Sequence, residues 1–96
     1  MIILKNKIKL YKSPNCIKCS IAKFIIQRIL INKGLSYNEF VEEKDVEKNS
    51  EAMAELLMHD TLNTPLIIIG NYILKNEDAT KEQLIKEAIE NWLRES

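Results

Sequence analysis

Residues 13–19 read Ser-Pro-Asn-Cys-Ile-Lys-Cys and contain both cysteines of the chain. Just before them, residues 8–11 (Ile-Lys-Leu-Tyr) alternate with a period of two and end in β-forming side chains, which predicts a strand. Just after them, apolar side chains recur at helical spacing through residues 17–30, which predicts an α-helix. Cys16 and Cys19 are therefore expected where a strand passes into a helix.

This position suits thiol chemistry. The N-terminus of a helix presents unpaired N–H groups and a partial positive charge, both of which favour a thiolate over a thiol. Two cysteines three residues apart lie on the same side of the first helical turn, within reach of a disulfide. Lys12 and Lys18 add positive charge nearby. The pattern predicts a dithiol redox site at Cys16 and Cys19.

Other uses of the cysteine pair are open to test. Structural zinc takes four N or S ligands, and this chain offers one cysteine pair and one histidine, His59. A single copy therefore cannot close such a site, and a metal- or iron–sulfur-binding module with cysteines from two copies is the main alternative. Inert buried cysteines are disfavoured by the polar neighbours Asn15, Lys18 and Ser20. A non-redox adaptor of the same fold is a further alternative, which a disulfide reduction assay would expose.

The composition predicts an ordinary single domain, residues 1–96, with 46% hydrophobic and 29% charged residues. Lys+Arg and Asp+Glu balance at 14 each, so no global charge draws the chain to nucleic acid or to an anionic membrane. The apolar residues 1–4 are too few for a signal peptide, and no run approaches the ~20 residues of a membrane span. We expect a monomer in the cytoplasm. Because that compartment is reducing, we expect the cysteine pair to cycle between the thiol and disulfide forms.

The remaining elements predict the order β-α-β-α-β-β-α. The first helix extends from about residue 17 to 33, and it is apolar enough, with Phe24 and Ile31 off the main stripe, that we expect neighbours on most sides. Residues 35–46 predict the second strand region, and the charged residues 42–45 are interpreted as a solvated strand end. The long helix between these strands implies a parallel crossover, with helices covering both faces of the sheet.

The second half of the chain predicts two helices around a hairpin. A helix capped by Asn49 or Ser50 comes first. Residues 66–69 and 72–74 then predict two strands around a Gly-Asn turn. Residues 80–83, of the form Thr-x-x-Gln, resemble a capping box that opens the last helix.

This order, with Cys-x-x-Cys at the first strand–helix junction and Thr-Pro before the third strand, resembles the thioredoxin superfamily. Within it, the chain is most similar to small glutaredoxins and glutaredoxin-like redoxins, over residues 8–92. The resemblance implies a thioredoxin-like, glutaredoxin-type α/β fold of three layers with a mixed four-stranded sheet. It also implies a small thiol–disulfide oxidoreductase that reduces protein disulfides or glutathione mixed disulfides.

The resemblance assigns roles to individual residues. Cys16 would be the attacking thiol and Cys19 the resolving one, which agrees with Cys16 lying at the exposed helix start. Pro65 stands in the place of the family's cis-proline, so we expect a cis Thr64–Pro65 bond and pairing of the Thr64 backbone with an extended substrate. The full set of predicted substrate-binding residues is Lys12, Pro14, Lys18, Thr64, Pro65 and Asp78.

The implied partners are disulfide-containing proteins and a reductant, either glutathione or a reductase of the thioredoxin-reductase type. No bound cofactor and no metal are implied. Glutathione-using members carry two glycines and then two acidic residues after the hairpin, where this chain has Lys75 and Asn76, then Asp78 and Ala79. The aromatic segment typical of redoxins that serve ribonucleotide reductase is also missing. We therefore expect thiol–disulfide chemistry with weak glutathione binding.

Overall fold

The computed structural model describes residues 7–94 of the chain. Its first half contains strand β1 (Ile8–Lys12), helix α1 (Ile17–Asn32), the short helix α2 (Tyr37–Phe40) and strand β2 (Val41–Asp45). Its second half contains helix α3 (Ser50–Met58), strands β3 (Leu66–Ile69) and β4 (Tyr72–Lys75), a 3-10 turn (Asn76–Thr80) and helix α4 (Glu82–Arg94).

The four strands form one mixed sheet in the order β2-β1-β3-β4. β1 pairs with β2 in parallel, and β3 pairs with β1 and with β4 in antiparallel directions. Both the predicted parallel crossover and the predicted hairpin are confirmed. β1 and β3 are adjacent and antiparallel in the centre of the sheet. The loop that follows β1 and the loop that precedes β3 therefore lie at the same end of the sheet.

Helices cover both faces of the sheet, as the sequence predicted. Ile8 and Leu10 of β1 pack with α1 and α4 in the larger core cluster. Tyr11 points to the opposite face, where it packs with Ala52 and Leu56 of α3. The alternation of side chains along β1 thus serves two cores, and the three-layer α/β fold is confirmed.

The second strand begins later than predicted. Residues 37–40 form the helical turn α2, in which the Phe40 N–H donates to the Ser36 carbonyl at 3.1 Å, and the strand starts only at Val41. The apolar spacing of Tyr37, Phe40 and Val41 fits a helical turn as well as a strand, and burial of Tyr37 favours the turn. Tertiary packing therefore decided between a strand and a helical turn, since the local sequence fits both.

The outer side of α1 is not covered as predicted, since Phe24 is 60% and Ile31 65% exposed. α1 is an outer-layer helix whose opposite side carries Ile26 and Leu30, both fully buried. Its apolar residues thus divide between the core and an open surface. Along residues 7–94, no helix is both long and apolar enough to cross a membrane.

The predicted capping box is also wrong. Thr80 ends the 3-10 turn, and its hydroxyl donates to the Glu77 carbonyl at 2.7 Å rather than capping α4. The threonine satisfies a local carbonyl because the 3-10 turn, absent from the sequence-based prediction, places one within reach.

Candidate active site

Cys16 and Cys19 lie at the start of α1 and are joined by a disulfide, with 5.2 Å between their Cα atoms. Cys16 caps the helix, because its Sγ accepts a hydrogen bond from the backbone N–H of Cys19 at 3.1 Å. Cys16 is half-buried, whereas Cys19 is only 5% exposed. The more accessible residue of the pair is therefore Cys16, at the predicted strand–helix junction.

The loop between β1 and α1 sets the direction in which Cys16 enters the helix. Asn15 has φ of 60°, in the left-handed region that asparagine tolerates better than most residues. Pro14, a predicted substrate-binding residue, is exposed one position earlier. The loop therefore presents an open surface next to Cys16.

Two hydroxyl groups form a chain that ends at the Cys16 sulfur. Thr64 Oγ1 donates to Cys16 Sγ at 3.5 Å and lies 2.7 Å from Ser13 Oγ. The sequence predicted a role for the backbone of Thr64, but not for its hydroxyl, and Ser13 was not among the predicted site residues. The Thr64–Pro65 bond is cis, as predicted, and Pro65 is buried.

Lys12 belongs to an ionic cluster that the sequence did not predict. Its Nζ lies 2.8 Å from Glu43 Oε1, while the other carboxylate oxygen lies 3.1 Å from Lys23 Nζ and accepts a 2.6 Å hydrogen bond from the Tyr37 hydroxyl. Burial raises the pKa of Glu43, but the hydrogen bonds from Lys12, Tyr37 and Lys23 outweigh it and lower that pKa to about 2. Burial and the bond to Glu43 raise the pKa of Tyr37.

Glu43 corrects the interpretation of residues 42–45 as a solvated strand end, because its side chain is only 21% exposed. The cluster draws on β1, α1, α2 and β2, and its members are separated by up to 31 positions. The only local signal was a carboxylate within a charged run, which sequence alone cannot distinguish from a surface residue. We name Lys12, Lys23, Tyr37 and Glu43 the Glu43 cluster.

The other predicted cation, Lys18, is paired with the Glu77 carboxylate of the 3-10 turn. This contact lowers the pKa of Glu77. Asp78, predicted to bind substrate, lies 3.5 Å from Lys81 Nζ and is exposed. The charges of Lys18 and Asp78 are therefore balanced by neighbours.

The 3-10 turn is held against the site by its backbone. The Asn76 N–H donates to the Pro65 carbonyl at 3.0 Å, and Asn76 has φ of 50°. Ala79 is fully buried in the core, so it does not occupy a ligand-facing position. The acids that the turn exposes are Glu77 and Asp78, and the weak glutathione binding expected from Ala79 stays a prediction.

Within residues 7–94, no three His, Cys, Asp or Glu side chains are grouped so that they could hold a metal ion. A site shared between two copies of the chain, the alternative raised by the sequence, is a separate hypothesis.

The fold is thioredoxin-like, and it carries a Cys-x-x-Cys pair of the kind that supports redox chemistry. Comparison with solved structures found the thioredoxin-like protein BC3987, which is 28% identical, with a TM-score of 0.58 over 82% of this chain and 99% of that one. A single-residue variant of the same protein matches with the same identity and TM-score. No protein-family model and no curated protein sequence matches the chain.

Proposed function

We propose that this protein is a thiol–disulfide oxidoreductase that reduces disulfides in other proteins. The observation that carries the proposal is the contrast between the two sulfurs, since Cys16 is half-buried at the helix N-terminus and Cys19 is buried behind it. The Cys19 N–H that binds Cys16 Sγ, together with the helix dipole, would stabilise a thiolate on Cys16. Dithiol exchange uses an accessible thiol that attacks the substrate and a second thiol close to it that releases the product.

In the first step, the Cys16 thiolate attacks one sulfur of the substrate disulfide. A Cys16–substrate disulfide forms, the substrate S–S bond breaks, and the departing thiolate takes a proton from solvent. In the second step, Cys19, as a thiolate, attacks Cys16 Sγ, which releases the second substrate sulfur as a thiol and restores the Cys16–Cys19 disulfide. Two electrons have passed from the protein to the substrate, and an external thiol or dithiol donor must return them.

The loop before β3 supports the first step. The Thr64 hydroxyl, which donates to Cys16 Sγ, would also stabilise the thiolate, and Ser13 would keep that hydroxyl in place. In the proposed complex, an extended substrate backbone pairs with Thr64 next to the cis Thr64–Pro65 bond. The predicted substrate residues Thr64 and Pro65 are thus part of the proposal.

For the reductant, we propose a reductase of the thioredoxin-reductase type in preference to glutathione. Lys75 stands where the glutathione-using relatives have glycine, and Lys18 is already paired with Glu77. If Lys18 stays paired with Glu77, glutathione lacks a charge-assisted contact to Lys18, which costs about 1.5–3 kcal/mol and corresponds to roughly a tenfold or greater weakening. No bound cofactor takes part in the proposed reaction.

The test is reduction of a protein disulfide by the full chain, with glutathione in one assay and with thioredoxin reductase and NADPH in the other. We expect reduction that depends on Cys16 and is faster with the reductase. Efficient turnover at low glutathione would contradict the choice of reductant. Absence of thiol–disulfide exchange in both assays, and with a chemical dithiol, would overturn the proposed function itself.

A further inference from the structure

A cleft of about 540 Å³ opens beside the disulfide, on the side of α1 that faces away from the 3-10 turn. It lies between the end of β1 and the first two turns of α1, and both sulfur-bearing residues line it. The lining residues are Leu10, Lys12, Ser13, Asn15, Cys16, Ile17, Cys19, Ser20 and Lys23. None of these lining residues, all within the described part of the chain, is acidic.

The charge of this cleft is unbalanced. Lys12 and Lys23 both pair with the single carboxylate of Glu43, which leaves one positive charge in excess. Each ammonium group carries three N–H donors, and Glu43 uses only part of them. The Lys12 and Lys23 side chains are 37% and 45% exposed, so a ligand in the cleft can reach them.

On the opposite side of α1, the cations are paired differently. There Lys18 is matched by Glu77, and Lys81 by Asp78. Lys18 and Lys81 thus each have a carboxylate of their own, whereas Lys12 and Lys23 share one. Around the cleft, the paired side chains Lys12, Lys23 and Glu43 therefore carry one net positive charge, although the whole chain carries none.

We propose that this cleft docks an acidic side chain of the polypeptide that carries the substrate disulfide, an inference that rests on the proposed function. A carboxylate in the cleft accepts hydrogen bonds from Lys12 and Lys23, while the neighbouring cysteine of the same polypeptide meets Cys16. Glu43 sets the strength of the attraction, because it holds both ammonium groups in place and cancels one of their charges. Substrates are thus selected by negative charge close to their disulfide.

The test uses three peptide disulfides that differ at one position near the cysteine, where they carry Glu, Gln or Lys. The measurement is the second-order rate of oxidation of the reduced full chain, by acid quench and mass spectrometry. At low salt we expect the Glu peptide to react about threefold to tenfold faster than the Gln peptide, and the Lys peptide to react more slowly. Near 1 M salt, where the Debye length is about 3 Å, the ratio should approach one.

Two variants should change the Glu-to-Gln rate ratio in opposite directions. Lys23→Gln removes a cleft cation and should bring the Glu-to-Gln rate ratio close to one, whereas Glu43→Gln removes the balancing charge and should increase that ratio. Lys33→Gln is the matched control, because Lys33 pairs with Glu90 at the far end of α1 and does not line the cleft. It should leave the ratio unchanged.

The outcomes separate the inference from the proposed function. If no peptide oxidises the reduced protein, the proposed function fails and the inference fails with it. If all three peptides react at equal rates, or if Lys23→Gln leaves the ratio unchanged, the inference alone fails. Circular dichroism checks the fold of each variant, and Lys23→Gln decides the question if Glu43→Gln does not fold.

Discussion

Cys16 and Cys19 differ because of their surroundings. Cys16 caps the helix, accepts an N–H and a hydroxyl hydrogen bond on its sulfur, and is partly accessible. Cys19 is one turn further into the helix and buried. In the proposed reaction, the same side chain attacks at one position and resolves at the other.

The first prediction separates these two roles. Cys16→Ser should abolish disulfide reduction, because the accessible nucleophile is lost. Cys19→Ser should still attack, but should accumulate a mixed disulfide with the substrate, since no second thiol can release it. Mass spectrometry of each variant after incubation with a disulfide peptide measures this. Adducts on Cys16→Ser, with full turnover by Cys19→Ser, would reverse the assignment.

The second prediction concerns the Thr64 hydroxyl. Thr64→Val removes the donor to Cys16 Sγ at similar volume, and it should raise the midpoint pH of Cys16 alkylation by roughly 0.5–1 unit. Thr64→Ser should largely preserve the wild-type profile. The pH dependence of iodoacetamide labelling of the reduced protein gives the midpoint.

Thr61→Val is the control for this series, because among residues 7–94 the Thr61 hydroxyl bonds only to the backbone of Asn63 in the same loop. It should leave the midpoint unchanged. Equal midpoints for Thr64→Val and the wild type would show that the hydroxyl does not act on the thiolate.

At the scale of elements, the β1–α1 loop has to turn sharply so that Cys16 can cap the helix. That turn is made at Asn15, with φ of 60°, a conformation that costs most non-glycine residues about 1–2 kcal/mol. Asparagine and glycine tolerate it, and β-branched residues do not. The geometry of the nucleophile therefore depends on one backbone angle in the preceding residue.

The third prediction follows from this angle. Asn15→Gly should retain stability and activity, whereas Asn15→Val should lower the free energy of unfolding by about 1–2 kcal/mol and slow the attack by Cys16. Urea denaturation and the single-turnover rate measure the two effects. Asn63→Val is a control in the other site loop, at a position without positive φ. A wild-type rate for Asn15→Val would mean that the turn does not position Cys16.

At the scale of the whole molecule, the Glu43 cluster ties four elements together. One carboxylate joins β2 to β1 through Lys12, to α1 through Lys23 and to α2 through Tyr37. The free energy of unfolding should therefore depend on the charge of Glu43. Its pKa falls from 4.5 to about 2 on folding, so the native state favours the ionised form.

The fourth prediction is a loss of stability in acid. The contribution of Glu43 is fully present above pH 4.5, its unfolded value, and is lost as the pH falls through about 2. It amounts to as much as about 3 kcal/mol. Glu43→Gln should therefore be less stable at pH 7 and show a shallower decline between pH 5 and 2. Urea titrations across this range measure it. Parallel declines for the two proteins would contradict the assignment.

Much of the architecture could be predicted because it follows from local patterns. The period of two in residues 8–11, the helical spacing after Cys16 and the apolar run 66–69 each indicate their element without reference to the rest of the chain. The Cys-x-x-Cys pair identified the candidate site for the same reason, since three residues of separation bring both sulfurs to one helical turn. Where a local pattern fitted two structures, as in residues 37–40, sequence reasoning chose wrongly.

By itself, the sequence thus determined the layered α/β order and the position of the cysteine pair at the start of α1, because both depend on neighbours in the chain. Only the tertiary structure decided the surroundings of Cys16. Lys12 meets Glu43 across 31 positions, Thr64 meets Cys16 across 48, and Lys18 meets Glu77 across 59. These contacts depend on strand register and on which helix packs on which face. The sequence next to a charged or hydroxyl side chain does not indicate which distant residue it will contact.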